Sequence, residues 1–228
     1  AVNIALNAAQ KDYRVAIFSL EMSKAQLAQR MLSSLSLVNL KQLISGDITE
    51  WDDIFEASFL IAGKSIYMDD TAGISITELR SKCRRLKADG GLDFIMIDYL
   101  QLMTSEGRNE NRQQEISTIS RNLKALAKEL DVPILALSQL SRDSEKSGRK
   151  PKLSDLRESG AIEQDADVVI LLYREDYQNE EAEVKNQIEL IIAKHRNGET
   201  GTVELNFIKE CTRFIDLQTD RDKELFNG

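Results

Sequence analysis

The fold of this sequence is decided by one short stretch, Phe94-Ile95-Met96-Ile97-Asp98. Its four large apolar residues follow the turn signal Gly90-Gly91 and are too few for a helix, so they predict a strand buried on both faces. Asp98 emerges at the carboxyl end of that strand. Ligands of open α/β sheets bind beyond the carboxyl ends of the strands, which places Asp98 within reach of a ligand. Many buried strands, however, end in an Asp that only caps a turn.

Length and composition narrow the class of protein. The 228 residues fit one large domain better than two small ones, and the alternation of helical and strand patterns predicts an α/β fold. A formal net charge of −8 gives no electrostatic reason to bind nucleic acid over the whole surface, so any such contact must be local. Cys83 and Cys211 form no metal-binding or disulfide pattern and suit a reducing cytoplasm. No apolar run is long enough to cross a membrane.

The first part of the chain alternates helix and strand. Residues 1–10 predict a helix with Ile4, Ala5 and Ala8 on one face. A strand over residues 14–20 follows and ends in Glu21. Ser23 and Gln26 then match the capping box that opens a helix.

The second part predicts one long helix and several strands. The helix covers residues 112–130, with Ile116, Ile119, Leu123 and Leu126 facing inward. An apolar strand over residues 133–138 ends in Ser138 and Gln139. The remaining predicted strands cover residues 168–173, 187–193, 202–207 and 213–217. Arg196-Asn197-Gly198 indicates a hairpin between the second and third of these four strands. We expect one domain over residues 1–218 and a tail over 219–228.

Polar side chains end three of the buried strands: Glu21, Asp98, and Ser138 with Gln139. If these strands are parallel neighbours, their ends meet at one edge of the sheet. A nucleotide hydrolase needs such a set. One carboxylate can orient or deprotonate the attacking water, a second can hold Mg²⁺, and an amide can sense the terminal phosphate.

A phosphate-cradling GxxxxGK[ST] loop would complete that set, but the sequence does not contain one. Residues 1–10 would form the helix that follows such a loop. We therefore expect the sequence to begin just downstream of it.

Six segments carry a resemblance to a known family. They are FSLEM at 18–22, IMIDYLQLM at 95–103, LKALAKEL at 123–130, ALSQLSR at 136–142, DLRESGAIEQDAD at 155–167 and KHRNG at 194–198. Together they resemble the C-terminal motor domain of DnaB-family replicative DNA helicases over nearly the whole chain. The resemblance implies a RecA-like, mostly parallel sheet flanked by helices, with a C-terminal antiparallel hairpin. It also implies a homo-hexameric ring that hydrolyses ATP between subunits and moves 5′ to 3′ on single-stranded DNA to unwind duplex.

The resemblance also implies roles for single residues. Glu21 would activate water, Asp98 would serve Mg²⁺ through its bound water, and Gln139 would sense the terminal phosphate of ATP. Lys194 and Arg196 would reach the nucleotide of a neighbouring subunit. Three residues of the LRESG segment would hold DNA: Arg157, Glu158 and Gly160.

The sequence departs from the family pattern in two ways. The phosphate loop is absent, so we expect these 228 residues alone to bind ATP very weakly. The N-terminal domain is absent too, so contact with primase, and with a helicase loader, would belong to the longer protein.

Several of these residues also have a simpler interpretation. Arg157 and Gly160 can belong to an ordinary loop, and Lys194 and Arg196 can be solvated charges beside a turn. His195, the only histidine, is more typical of an incidental residue than of a catalytic one. A regulatory or assembly ATPase and a strand-exchange recombinase are rival functions for the same core.

Overall fold

The structure is a computed structural model that describes residues 1–104, 112–141, 149–175 and 186–217, without the side chains of 157–159. The predicted tail lies outside the described residues. Within them, no helix is long and apolar enough to cross a membrane.

A parallel sheet forms the centre of the molecule. Its strands are β1 Val15–Ser19, β2 Ile66–Asp69, β3 Phe94–Asp98 and β4 Ile134–Ala136. They lie in the order β2-β1-β3-β4, and all neighbours are parallel. The strands that end before Glu21, at Asp98 and before Ser138 are therefore adjacent. This confirms the expectation that their polar ends share one edge.

Helices cover both faces of this sheet. The described α-helices are α1 Val2–Gln10, α2 Lys24–Ser36, α3 Leu40–Ser45, α4 Trp51–Ala62, α5 Ile76–Asp89, α6 Arg112–Leu130 and α7 Gly160–Asp165. Short 3₁₀ helices span Leu100–Leu102 and Leu153–Ser159. Successive strand residues point to opposite faces, so Ile17 and Met96 pack with α1 and α2, while Phe18, Ile95 and Ile97 pack with α5 and α6.

The burial of residues on α6 and α1 can be compared with the helix faces predicted from the sequence. The four residues predicted to face inward on α6 are all buried. On α1, Ala5, Leu6 and Ala9 are buried, while Ile4 is 49% exposed. Two alanines on the inner face let the helix lie close to the sheet, which matters more here than burying the largest side chain.

A second, antiparallel sheet follows. Its strands are β5 Val168–Tyr173, β6 Gln187–His195, β7 Gly201–Ile208 and β8 Arg213–Asp216, in the order β5-β6-β7-β8. The predicted hairpin is confirmed as β6 and β7, and β8 pairs beside it as expected. Asn3 of α1 joins this sheet to the first one, since its side chain donates to Thr212 O at 2.9 Å and accepts from Phe214 N at 3.1 Å.

Candidate active site

Two carboxylates meet at the carboxyl edge of the parallel sheet. Ser19 and Asp98 are register partners, and Leu20 N donates to Asp98 O at 2.7 Å, so the chain delivers Glu21 beside the end of β3. We call Glu21 and Asp98 the acid pair. Partial burial raises the pKa of Asp98, and the negative charge of Glu21 raises it further. Among the described residues, no side chain forms an ion pair or hydrogen bond with either carboxylate.

The amino-terminal end of α1 lies at the same edge. Ala1, the N-cap residue of α1, lies near Asp98, and the positive charge of Arg30 also acts on that carboxylate. The first N–H groups of a helix carry partial positive charge and stabilise anions.

Gln101 connects the ends of β3 and β4. Its amide nitrogen donates to Ser138 Oγ at 2.9 Å, and its amide oxygen accepts from Gln139 N at 3.3 Å. Gln139 is exposed next to this contact. The structure thus brings Glu21, Asp98 and Gln139 to one edge. Sequence reasoning missed Gln101, although a polar residue three positions after Asp98 in an apolar run was a usable signal.

The donor set of this edge fits a magnesium ion. Carboxylate oxygens are the ligands that this hard cation prefers, and the acid pair forms no ion pair with a described side chain. The described residues include no group of three or more His, Cys, Asp and Glu side chains that could hold a metal alone. Mg²⁺ commonly keeps several waters and binds one or two carboxylates together with phosphates, so the acid pair suffices.

Lys194 and Arg196 lie on the antiparallel sheet instead. Lys194 Nζ donates to three backbone carbonyls at the end of α7: Glu163 at 2.5 Å, Ala166 at 2.8 Å and Gln164 at 3.3 Å. These three bonds use the full donor capacity of an ammonium group.

Arg196 is also bound within the chain. Its guanidinium pairs with Asp167 at 3.1 Å, and its backbone N–H donates to Asp167 O at 2.8 Å. Lys124 of α6 pairs with the same carboxylate, and this hydrogen bond is the main cause of the lowered pKa of Asp167. We call Lys124, Lys194 and Arg196, with Asp167, the basic corner. Its contacts are with α7 and α6, not with the acid pair.

The LRESG segment is anchored at its start by a buried acid. Arg149 donates to both oxygens of Asp155, at 2.9 and 2.7 Å, and Lys152 N donates to it at 2.7 Å. Ser141 N donates to Asp155 O at 3.1 Å. Ser141 and Arg149, which stand on either side of residues 142–148, therefore both bond Asp155 at the start of the segment. Sequence reasoning missed this role of Asp155.

Gly160, the last residue of that segment, begins α7. Its φ is −53°, which any residue adopts, and a Cβ there would meet no described atom within 4 Å. Neither backbone strain nor packing among the described atoms requires glycine at this position. The side chains of Arg157 and Glu158 lie outside what the structure describes.

Known protein sequences provide an independent comparison. The profile of the family described as DnaB-like helicase C terminal domain matches residues 1–216. The replicative DNA helicase DnaB of Geobacillus stearothermophilus is 53% identical over 228 residues, 98% of this chain and 50% of that protein. The replicative DNA helicase DnaC of Bacillus subtilis (strain 168) is 53% identical over 223 residues, 96% of this chain and 49% of that protein. The chain spans about half the length of these curated relatives.

Solved structures are similar as well. One that is described as an ATPase domain has a TM-score of 0.91 and 42% identity, covering 95% of this chain and 79% of that one. A DnaB-like replicative helicase, described with its interactions with primase, gives the same TM-score and identity over 95% of this chain and 54% of that one. The RadB recombinase, at 13% identity and a TM-score of 0.52, over 94% of this chain and 84% of that one, shares the fold alone.

Proposed function

Since the chain belongs to the DnaB-like helicase C-terminal domain family, we propose that it is the motor of a replicative DNA helicase. In this proposal it hydrolyses ATP with Mg²⁺ between the subunits of a homo-hexameric ring, moves 5′ to 3′ on single-stranded DNA and unwinds duplex. The observation that carries the proposal is the acid pair, two carboxylates that lie together at the ligand edge of the sheet without an ion pair to any described side chain.

The two carboxylates suit different tasks. Glu21 is exposed and can accept a proton from a water that attacks the terminal phosphate. Asp98 is half-buried and can hold a metal-bound water. Bound Mg²⁺ would supply positive charge that stabilises the transferring phosphoryl group. The first backbone N–H groups of α1 provide further positive potential for phosphate oxygens at this edge.

Gln139 is proposed to sense the terminal phosphate of ATP. Its backbone is fixed by Gln101, which also bonds Ser138, so a change at Gln139 acts on the ends of both β3 and β4. This supports a sensing role, because the amide side chain stays exposed and available at that edge.

Lys194 and Arg196 are proposed to act on the nucleotide of a neighbouring subunit. Arg suits this task because its planar fork matches phosphate oxygens. Both side chains bind α7 and Asp167 in this structure, so reaching a neighbour requires exchanging those contacts for phosphate contacts. Since α7 begins with Gly160, such an exchange would release the helix that starts at the last residue of the LRESG segment.

The LRESG segment is the proposed DNA contact. Arg157 can neutralise a phosphate, and the glycine at 160 lets a nucleic-acid backbone come close to the start of α7. The anchored Asp155 keeps the beginning of the segment in place. Glu158 completes the proposed set.

The longer protein would supply the remaining partners. One similar solved structure is described with primase, so we propose primase and a helicase loader as partners of regions outside these residues. A cytoplasmic location follows from this proposal.

DNA-dependent motor activity tests the proposal directly. The full-length protein is given ATP with and without single-stranded DNA, and then a fork whose free tail ends in either 5′ or 3′. We expect hydrolysis to rise with DNA and unwinding to require the tail that permits 5′ to 3′ movement. Hydrolysis that ignores DNA would favour a regulatory ATPase, and filament formation with strand exchange would favour a recombinase.

A further inference from the structure

The loop that carries Glu21 is held by hydrogen bonds on both sides of that residue. Met22 N donates to the buried Ser19 Oγ at 3.1 Å, and Ser23 N donates to Gln26 Oε1 at 2.9 Å. Lys24 N donates to the carboxylate of Asp70 at 3.0 Å. The first two bonds are local, within the β1–α2 connection. The third ties the connection to a different strand.

Asp70 sits at a favourable place for this role. It follows β2 and faces the first residue of α2, where a negative charge satisfies a free N–H and interacts well with the helix dipole. The Lys24 ammonium is also near it, at 3.4 Å. The backbone hydrogen bond from Lys24 is the main cause of the lowered pKa of Asp70.

The preceding residue makes this anchor rigid. Asp69 is buried and accepts hydrogen bonds from Tyr67 Oη and Thr71 N, both at 3.0 Å. Lys82 of α5 pairs with it at 2.8 Å. The turn after β2 is thereby fixed to α5, and Asp70 extends from that fixed turn to α2.

We propose that Asp70 is a positioning residue for Glu21, holding the start of α2 so that the Glu21 carboxylate keeps its place beside Asp98. The inference rests on the proposed function, in which Glu21 activates water. A displacement of about 1 Å at a catalytic group can cost roughly a hundredfold in rate, so one anchoring bond a few residues away is enough to matter.

Three variants of the full-length protein separate the parts of this anchor. Asp70→Ala removes the acceptor, and we expect kcat for ATP hydrolysis to fall about tenfold with KM unchanged. Asp70→Asn keeps an oxygen that can accept from Lys24 N, so it should stay within about threefold of wild type. Lys24→Ala removes the ammonium but keeps the backbone donor, and it should also stay within about threefold. Asp47→Ala, at an exposed position, is the matched control.

A double-mutant cycle with Glu21→Gln decides whether Asp70 acts through Glu21. Once Glu21 cannot take a proton, its exact position no longer matters, so Asp70→Ala should leave the residual single-turnover rate of Glu21→Gln unchanged. An equal tenfold loss in both backgrounds, a rise in KM at constant kcat, or no loss in the wild-type background would each overturn the proposal. If Glu21→Gln alone hydrolyses ATP normally, the assignment of Glu21 in the proposed function is wrong instead.

Discussion

The acid pair and the basic corner differ in whether their charged groups have partners within the chain. Glu21 and Asp98 lie together without an ion pair to any described side chain, and burial together with the charge of Glu21 raises the pKa of Asp98. Lys194 and Arg196, in contrast, are satisfied by carbonyls of α7 and by Asp167. Both sets are expected to act on ATP, yet only the first is exposed to a ligand without breaking bonds inside the chain.

This difference indicates how far the contacts of each set must rearrange when ATP and Mg²⁺ bind. A carboxylate pair that repels itself gains free energy when a cation arrives, so its geometry can be formed beforehand. Cations that already hold a helix end must give up those bonds, and the affinity for a neighbour's nucleotide is lowered by that cost. In the proposed function, the acid pair can bind its ligand as it stands, whereas the basic corner must first exchange its present contacts.

The largest effect is expected at the acid pair. Glu21→Gln keeps the size of the side chain but cannot accept a proton, so hydrolysis in the full-length protein should fall about 10³-fold. ATP binding should remain, because the residue is not expected to hold phosphate. Steady-state hydrolysis and an equilibrium nucleotide titration measure the two effects. Unchanged turnover would show that Glu21 is only a polar residue after β1 and takes no part in hydrolysis.

Mixed rings test whether the basic corner acts on another subunit. Glu21→Gln and Arg196→Ala are each expected to abolish activity in a pure ring, but a mixture forms some interfaces with an intact acid and an intact arginine. In a random equal mixture roughly a quarter of the interfaces qualify, so part of the wild-type activity should return. If mixed rings assemble and stay inactive, the trans assignment of Arg196 fails.

Lys194→Met measures how firmly the basic corner is bound. Three carbonyls at the end of α7 lose their donor, and we expect the free energy of unfolding to fall by about 1–2 kcal/mol. Chemical denaturation of the variant reports this value. Lys209→Met is the control, because Lys209 is exposed and its nearest acidic oxygen is 3.9 Å away. Equal stability of the two variants would show that Lys194 is already free to bind elsewhere.

The smallest effect concerns the stability of the acid pair without ligand. The pKa of Asp98 is raised in the folded chain, so its protonated form is favoured by folding, and its contribution is lost as pH rises through that pKa. Asp98→Asn should therefore unfold at a slightly higher temperature than wild type at pH 7. The difference should vanish in acid, where the wild-type carboxyl is neutral. Asp47→Asn, at an exposed position, is the control for the loss of one formal negative charge.

Periodicity was enough to predict the parallel sheet and its polar edge. A run such as Phe94 to Ile97 has few alternatives to a buried strand, and strand–helix–strand succession makes parallel neighbours the simplest arrangement. The long helix α6 followed from its apolar spacing. Spacing did not show that α1 buries Ala5 and Ala9 and leaves Ile4 exposed, because it does not show how close a helix lies to its sheet.

Long-range contacts between polar side chains could not be predicted in this way. Asp70 and Lys24 are 46 residues apart, and no local rule links them. The contacts of Lys194 with α7 depend on how the antiparallel sheet meets that helix. The roles expected for Arg157, Glu158 and Gly160 came from family resemblance and remain predictions.

Strand β5 has a consequence for how the protein behaves at high concentration. It pairs only with β6 among the described strands, and Val168, Ile170 and Leu172 are 43%, 45% and 56% exposed on one face. An uncharged run of β-branched and aliphatic residues along a sheet edge can recruit another extended backbone. Self-association of the chain therefore depends on whether the β5 edge is covered. Material produced as residues 1–228 alone is expected to self-associate through β5 unless another segment or subunit covers it.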